Sequence, residues 1–127
     1  QKAYAGRTAV RVFYQVWGQP LYTLGGGHVV TQMLRVCGAE NVFSDQRASG
    51  LPVDEEAVYA RDPDVLVLAG LPRETAAWRA RWERTPGLHA VATRAIVELD
   101  PDLVNRMGPR IGQGTAALCA GLARVRR

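Results

Sequence analysis

A chain of 127 residues with 47% apolar and 22% charged side chains has the balance of one globular domain and can bury roughly two thirds of its unfolded surface. No apolar run approaches the ~20 residues that span a bilayer, and nothing reads as a signal peptide. The net charge of +4 comes mainly from arginines (Arg73, Arg79, Arg81, Arg84, Arg124, Arg126, Arg127) that read as a solvated helix face and a basic tail, so no nucleic-acid partner is expected.

In chain order, Lys2-Ala3-Tyr4-Ala5 reads as the end of a helix, with residues 1–10 a lead-in. The apolar run Val12-Phe13-Tyr14-Gln15-Val16 predicts a buried strand. It enters an aromatic, glycine-rich loop from Trp17 to Gly27 that offers the flat faces of Trp17 and Tyr22 and a backbone open to close approach. Val29, Val30, Met33, Leu34 and Cys37 form a helical stripe closed by Gly38. Asn41-Val42-Phe43 reads as a short strand, and residues 44–52 as a polar loop. Asp54 caps a short helix that Asp62-Pro63 stops.

Val65-Leu66-Val67-Leu68-Ala69 is apolar throughout, so both faces of that strand should be covered, as in a parallel sheet. Pro72 opens a helix carrying Trp78 and Trp82 on one face, and Pro86-Gly87 breaks it. Ala95-Ile96-Val97-Glu98-Leu99 is a fourth strand, and Ile111, Leu118, Leu122 and Val125 mark a last helix. This alternation predicts a parallel α/β sheet. With strand order 2-1-3-4, right-handed crossovers put the first helix on one face and the next two on the other. The last helix then lies beside the first. Cys37 and Cys119 fall on those two helices, which leaves two readings open: a bridge made in an oxidising compartment, or two buried thiols in a reducing one. Neither has a second metal ligand at zinc-site spacing, and no metal site is expected.

In order and spacing, Val12–Val16, then Val36-Cys37-Gly38-Ala39-Glu40-Asn41-Val42-Phe43, Ala60-Arg61-Asp62-Pro63-Asp64-Val65-Leu66-Val67, and Pro109-Arg110-Ile111 before Cys119 resemble the C-terminal lobe of the periplasmic substrate-binding proteins of ABC importers for cobalamin, ferric siderophores and haem. The resemblance implies a Rossmann-like α/β lobe over residues 11–127, with a four-stranded, mainly parallel sheet and helices on both faces. It also implies that residues 1–10 end an inter-lobe helix and that an N-terminal lobe and a signal peptide lie outside these residues. The Cys37/Cys119 pair points to the cobalamin branch, where a disulfide joins the same two helices.

The function so implied is periplasmic capture of cobalamin, or of another bulky metal chelate, and its delivery to an ABC permease in the inner membrane. Neither catalysis nor a resident cofactor is implied. By spacing from Pro109, the relatives' ligand-contacting segment maps onto Leu103, Val104, Asn105, Arg106 and Met107, with Leu103 and Val104 standing where the relatives carry an aromatic pair. A corrinoid is a broad apolar ring with amide arms, which suits Trp17 and Tyr22 as ring contacts and Gln15 and Asn105 as amide partners. Glu74 occupies the position expected of a permease-docking carboxylate, with Glu83 the second choice. A half-cleft without its partner lobe exposes apolar surface, so the isolated lobe is expected to self-associate.

Two other readings compete. Within the class, the ligand is a ferric siderophore or haem. Outside it, Gly25-Gly26-Gly27 before a helix is a phosphate cradle in a small nucleotide-binding or enzymatic domain, although neither the Gly-Lys-Ser/Thr ending nor the spaced dinucleotide fingerprint is present. His28 and His89 read as structural or solvent-facing rather than as metal ligands.

Overall fold

The computed structural model describes residues 9–18, 20–84, 87–99 and 111–125. Strand β1 (Val10–Gly18) runs through the centre of the sheet. Val12, Phe13 and Tyr14 are fully buried there because helices cover both faces. Along one edge β1 pairs in parallel with β5 (Val65–Ala69), which pairs in parallel with β6 (Ile96–Leu99). The other edge is shared. Val10 to Val12 pair in parallel with β3 (Ala39–Asn41), and Gln15 to Gly18 pair antiparallel with β2 (Leu21–Leu24), which pairs in turn with β4 (Gly50–Pro52).

The parallel part therefore has the order expected from the sequence, with two additions. The sheet has six strands rather than four, because β2 and β4 form inside stretches that read as loops. Leu21 to Leu24 and Gly50 to Pro52 are only four and three residues long, too short for alternation to stand out. The second parallel strand also lies two residues earlier than Asn41-Val42-Phe43. Val42 and Phe43 leave the sheet and turn into the core beside Phe13.

Helix α1 (Val29–Val36) and helix α5 (Ile111–Val125) cover one face, packing Val30, Met33, Leu34, Leu118 and Leu122 on Tyr14, Val67 and Val97. The other face takes α2 (Glu55–Arg61), α3 (Pro72–Glu83) and a single turn, α4 (His89–Ala92), that no sequence signal announced. The helix ends follow local chemistry. Asp54 accepts the Ala57 amide proton at 2.8 Å, and Asp62 turns left-handed at φ 42° to end α2. Pro72 takes the first position of α3, and Gly38 ends α1 at φ 83°. Cys37 and Cys119 are joined as a disulfide between α1 and α5, with Cα atoms 5.0 Å apart across 82 residues of sequence. The expected bridge is present.

Candidate functional site

The sheet's carboxyl edge is where open α/β folds bind ligands, and the β1–β2 hairpin shapes that edge. Gln15 pairs with Thr23, but the next pair is Trp17 with Tyr22, so Val16 is an extra residue on β1. A bulge of this kind re-aims the side chains beyond it. It leaves Trp17 and Tyr22 opposite one another on the same face, 58% and 36% exposed. With Val16 and Pro20 they line an almost wholly apolar hollow of about 270 Å³. Two aromatic faces held on a rigid hairpin and open to solvent can hold a flat, apolar guest.

Behind the hairpin, α3 supplies the support. Gln15 is 2% exposed. Its Oε1 accepts the Trp82 indole N–H at 2.7 Å, and its Nε2 donates to the Trp17 carbonyl at 3.1 Å. The amide expected to reach outward to a guest is engaged within the lobe on both sides. Trp78 lies against Gly18, where any Cβ would strike its indole. Trp17, Gly18, Trp78, Arg81 and Arg84 border a second hollow of about 510 Å³, with Glu74 and Ala77 completing it. Arg81 is held by Glu55 at 2.7 Å.

Glu74 is exposed, and its Oε1 accepts the Leu71 amide proton at 2.9 Å, capping α3. Glu83 pairs with Arg79 one turn back at 3.7 Å. Arg79 also reaches Glu98 at 2.7 Å, and the Thr75 hydroxyl donates to Glu98 at the same distance. That hydroxyl, aided by Arg79, holds the Glu98 carboxyl below the ordinary carboxylate range and pins α3 to β6.

The glycine loop does not serve as a cradle. The Gly25 and Gly26 amides donate to the carbonyls of Ser49 and Gln46, and the three glycines pack so tightly on residues 44–48 that a Cβ at any of them would strike a backbone carbonyl there. These glycines are needed because two backbones meet, not because a phosphate approaches. Thr31 and Asn41 close the turn from below through the Gly25 and Leu24 carbonyls. The nucleotide reading is corrected by this geometry.

His28 caps α1, its Nδ1 accepting the Val30 amide proton at 3.0 Å, and partial burial lowers its pKa. His89 is exposed in α4, and its backbone N–H donates to Asp62. Among the described residues, no cluster of three or more His, Cys, Asp or Glu side chains is placed to hold a metal, and no helix is long and apolar enough to cross a membrane. Leu103, Val104, Asn105, Arg106 and Met107 lie outside the described residues, as does the lead-in through residue 8. What sequence reasoning missed is the hairpin pairing itself. Its one signal was Pro20 between two short apolar runs, a turn residue without the Asn-Gly or Asp-Gly that marks tight hairpins.

Known proteins share this architecture. The chain is 34% identical over 122 residues to the vitamin B12-binding protein of Salmonella typhimurium, a match spanning 96% of this chain and 44% of the relative. It superimposes with a TM-score of 0.81 on the periplasmic vitamin B12-binding protein BtuF of Vibrio cholerae, at 29% identity over 99% of this chain and 49% of that one. The periplasmic haem-binding protein BhuT, solved with two haems, aligns with a TM-score of 0.80 at 26% identity, covering 96% of this chain and 47% of that one. The chain thus spans less than half the length of the curated relatives it matches. The family model described as periplasmic binding protein matches residues 1–103. By that match, and by a lobe whose sheet ends in a supported aromatic hairpin, the chain belongs to the periplasmic binding protein family.

Proposed function

We propose that this lobe forms half of the clamp of a periplasmic solute-binding protein that captures cobalamin and hands it to an ABC permease. The observation that carries the reading is the apolar hollow of Val16, Trp17, Pro20 and Tyr22 on the carboxyl edge of the sheet, in a chain of this family. Trp17 and Tyr22 stack on the ring of the guest, and the resemblance assigns Leu103, Val104, Asn105, Arg106 and Met107 to it as well. Gln15 sits behind Trp17 as support. Glu74, exposed at the start of α3, is the carboxylate assigned to permease docking. The role is binding without chemistry. The Cys37–Cys119 bridge supports a periplasmic location, since such bonds persist in oxidising compartments.

A second ligand within the class, haem, is favoured by the likeness to the haem-binding relative and by the planar shape of the hollow's aromatic walls. One titration separates the two. Full-length protein is mixed with cyanocobalamin and, separately, with haemin, and the visible spectrum is followed. A saturable shift with cyanocobalamin is expected, and Trp17→Ala should weaken it about tenfold or more, as for a buried aromatic anchor. A shift with haemin alone would move the assignment to the second ligand. No shift with either would remove both.

A further inference from the structure

We infer that Gln15 is a positioning residue: its buried amide ties the indole of Trp82 on α3 to the main chain of Trp17 and thereby fixes how Trp17 is presented at the ligand edge. This rests on the reading of Trp17 as a ligand contact and goes beyond it, because it has Gln15, with both ends of its amide engaged within the lobe, act through Trp17.

The geometry is specific. Position 15 faces the same side of β1 as Phe13, a side otherwise packed with apolar residues. An amide at that place must satisfy both its ends or lose free energy on burial. It does so with one donor and one acceptor that lie on different elements, Trp82 of α3 and Trp17 of β1. The Trp17 carbonyl lies one residue past the bulge at Val16, where the ladder with β2 shifts register. A bulge disrupts the ladder locally, and the Gln15 side chain adds a bond to the main chain just past it. Trp82 cannot drift, since it is 2% exposed and meets Phe13 edge-on at 6.0 Å. Methionine or leucine would fill the same volume and keep the core, yet remove the side-chain bonds to the Trp17 carbonyl and the Trp82 indole N–H.

Gln15→Met, Gln15→Glu, Trp17→Ala and the double variant Gln15→Met/Trp17→Ala, all in the full-length protein, test this. In ligand-free protein, the indole cross-peak of Trp17 is identified by its loss in Trp17→Ala. Gln15→Met should move that peak. Gln15→Glu should make its position depend on pH. Protonated, the carboxylic acid accepts from Trp82 and donates to Trp17 as the amide does; ionised, it cannot donate. Burial raises that carboxyl's pKa, so the native peak position returns toward acid pH. Gln15→Glu also keeps the Trp82 bond and serves where Gln15→Met fails to fold. A Trp17 peak that stays in place in both variants at every pH overturns the inference.

With cyanocobalamin or haemin, whichever the native protein binds, Gln15→Met should raise Kd about tenfold alone and less than about twofold in the Trp17→Ala background. Losses that multiply instead would mean Gln15 acts independently of Trp17 and would overturn the inference. If the native protein binds neither compound, the proposed function fails, and the ligand-free peak still decides the role of Gln15.

Discussion

His28 caps α1 with a ring nitrogen, and accepting the Val30 amide proton requires that nitrogen to be unprotonated. Burial lowers the ring's pKa in the folded state, so the unfolded chain takes up the proton first. The stability held above the unfolded value of about 6.5 is therefore lost as pH falls through the folded one. We expect the melting temperature to drop more steeply between pH 7.5 and pH 5 in the native lobe than in His28→Asn, whose side chain caps without titrating, as followed by circular dichroism. Parallel curves would refute this. At pH 7.5, His28→Ala should cost about 1 kcal/mol, the usual worth of a helix cap. Residue type alone did not announce this cap, since histidine is not among the favoured capping residues. At Asp54, by contrast, the cap was legible from residue type alone and is found as expected.

At the scale of elements, two connections matter most. The turn from β2 to α1 is pressed against residues 44–49, so Gly26→Ala must displace the Ser44 carbonyl and should cost about 1–3 kcal/mol, as overpacking does. Because the Gly25 and Gly26 amides are already spent, ATP and NAD should leave the melting temperature unchanged. A rise of several degrees with either nucleotide would restore a phosphate site. The second connection is the bridge between α1 and α5. Cutting a loop of 82 residues by Cys37→Ala/Cys119→Ala should lower stability by roughly 4 kcal/mol in the chain-entropy model. Urea unfolding reads this directly, and an unmoved midpoint would show that packing of Leu118 and Leu122 alone fixes the helices.

For the whole molecule, the carboxyl edge of the sheet leaves Trp17, Tyr22 and Leu71 exposed at 58%, 36% and 53%. Purified as these 127 residues, the lobe should self-associate at high concentration through that edge, and Trp17→Ser/Tyr22→Ser should abolish the association. A monomeric light-scattering mass for the native lobe at the highest soluble concentration would remove the idea.

Local patterning determined the parallel framework. The short runs Val12–Val16, apolar but for Gln15, and Val65–Ala69 fit strands covered on both faces, and the crossover rule then settled which helices lie together. From that followed the neighbourhood of Cys37 and Cys119. Tertiary structure alone decided the edge. Whether Leu21 to Leu24 pairs as a strand depends on partners at Gly50 to Pro52, and whether Gln15 faces a guest or Trp82 depends on a helix 67 residues away in sequence. Such contacts leave no periodic trace, because each is one pairing between distant residues whose worth exists only once the framework has brought them together.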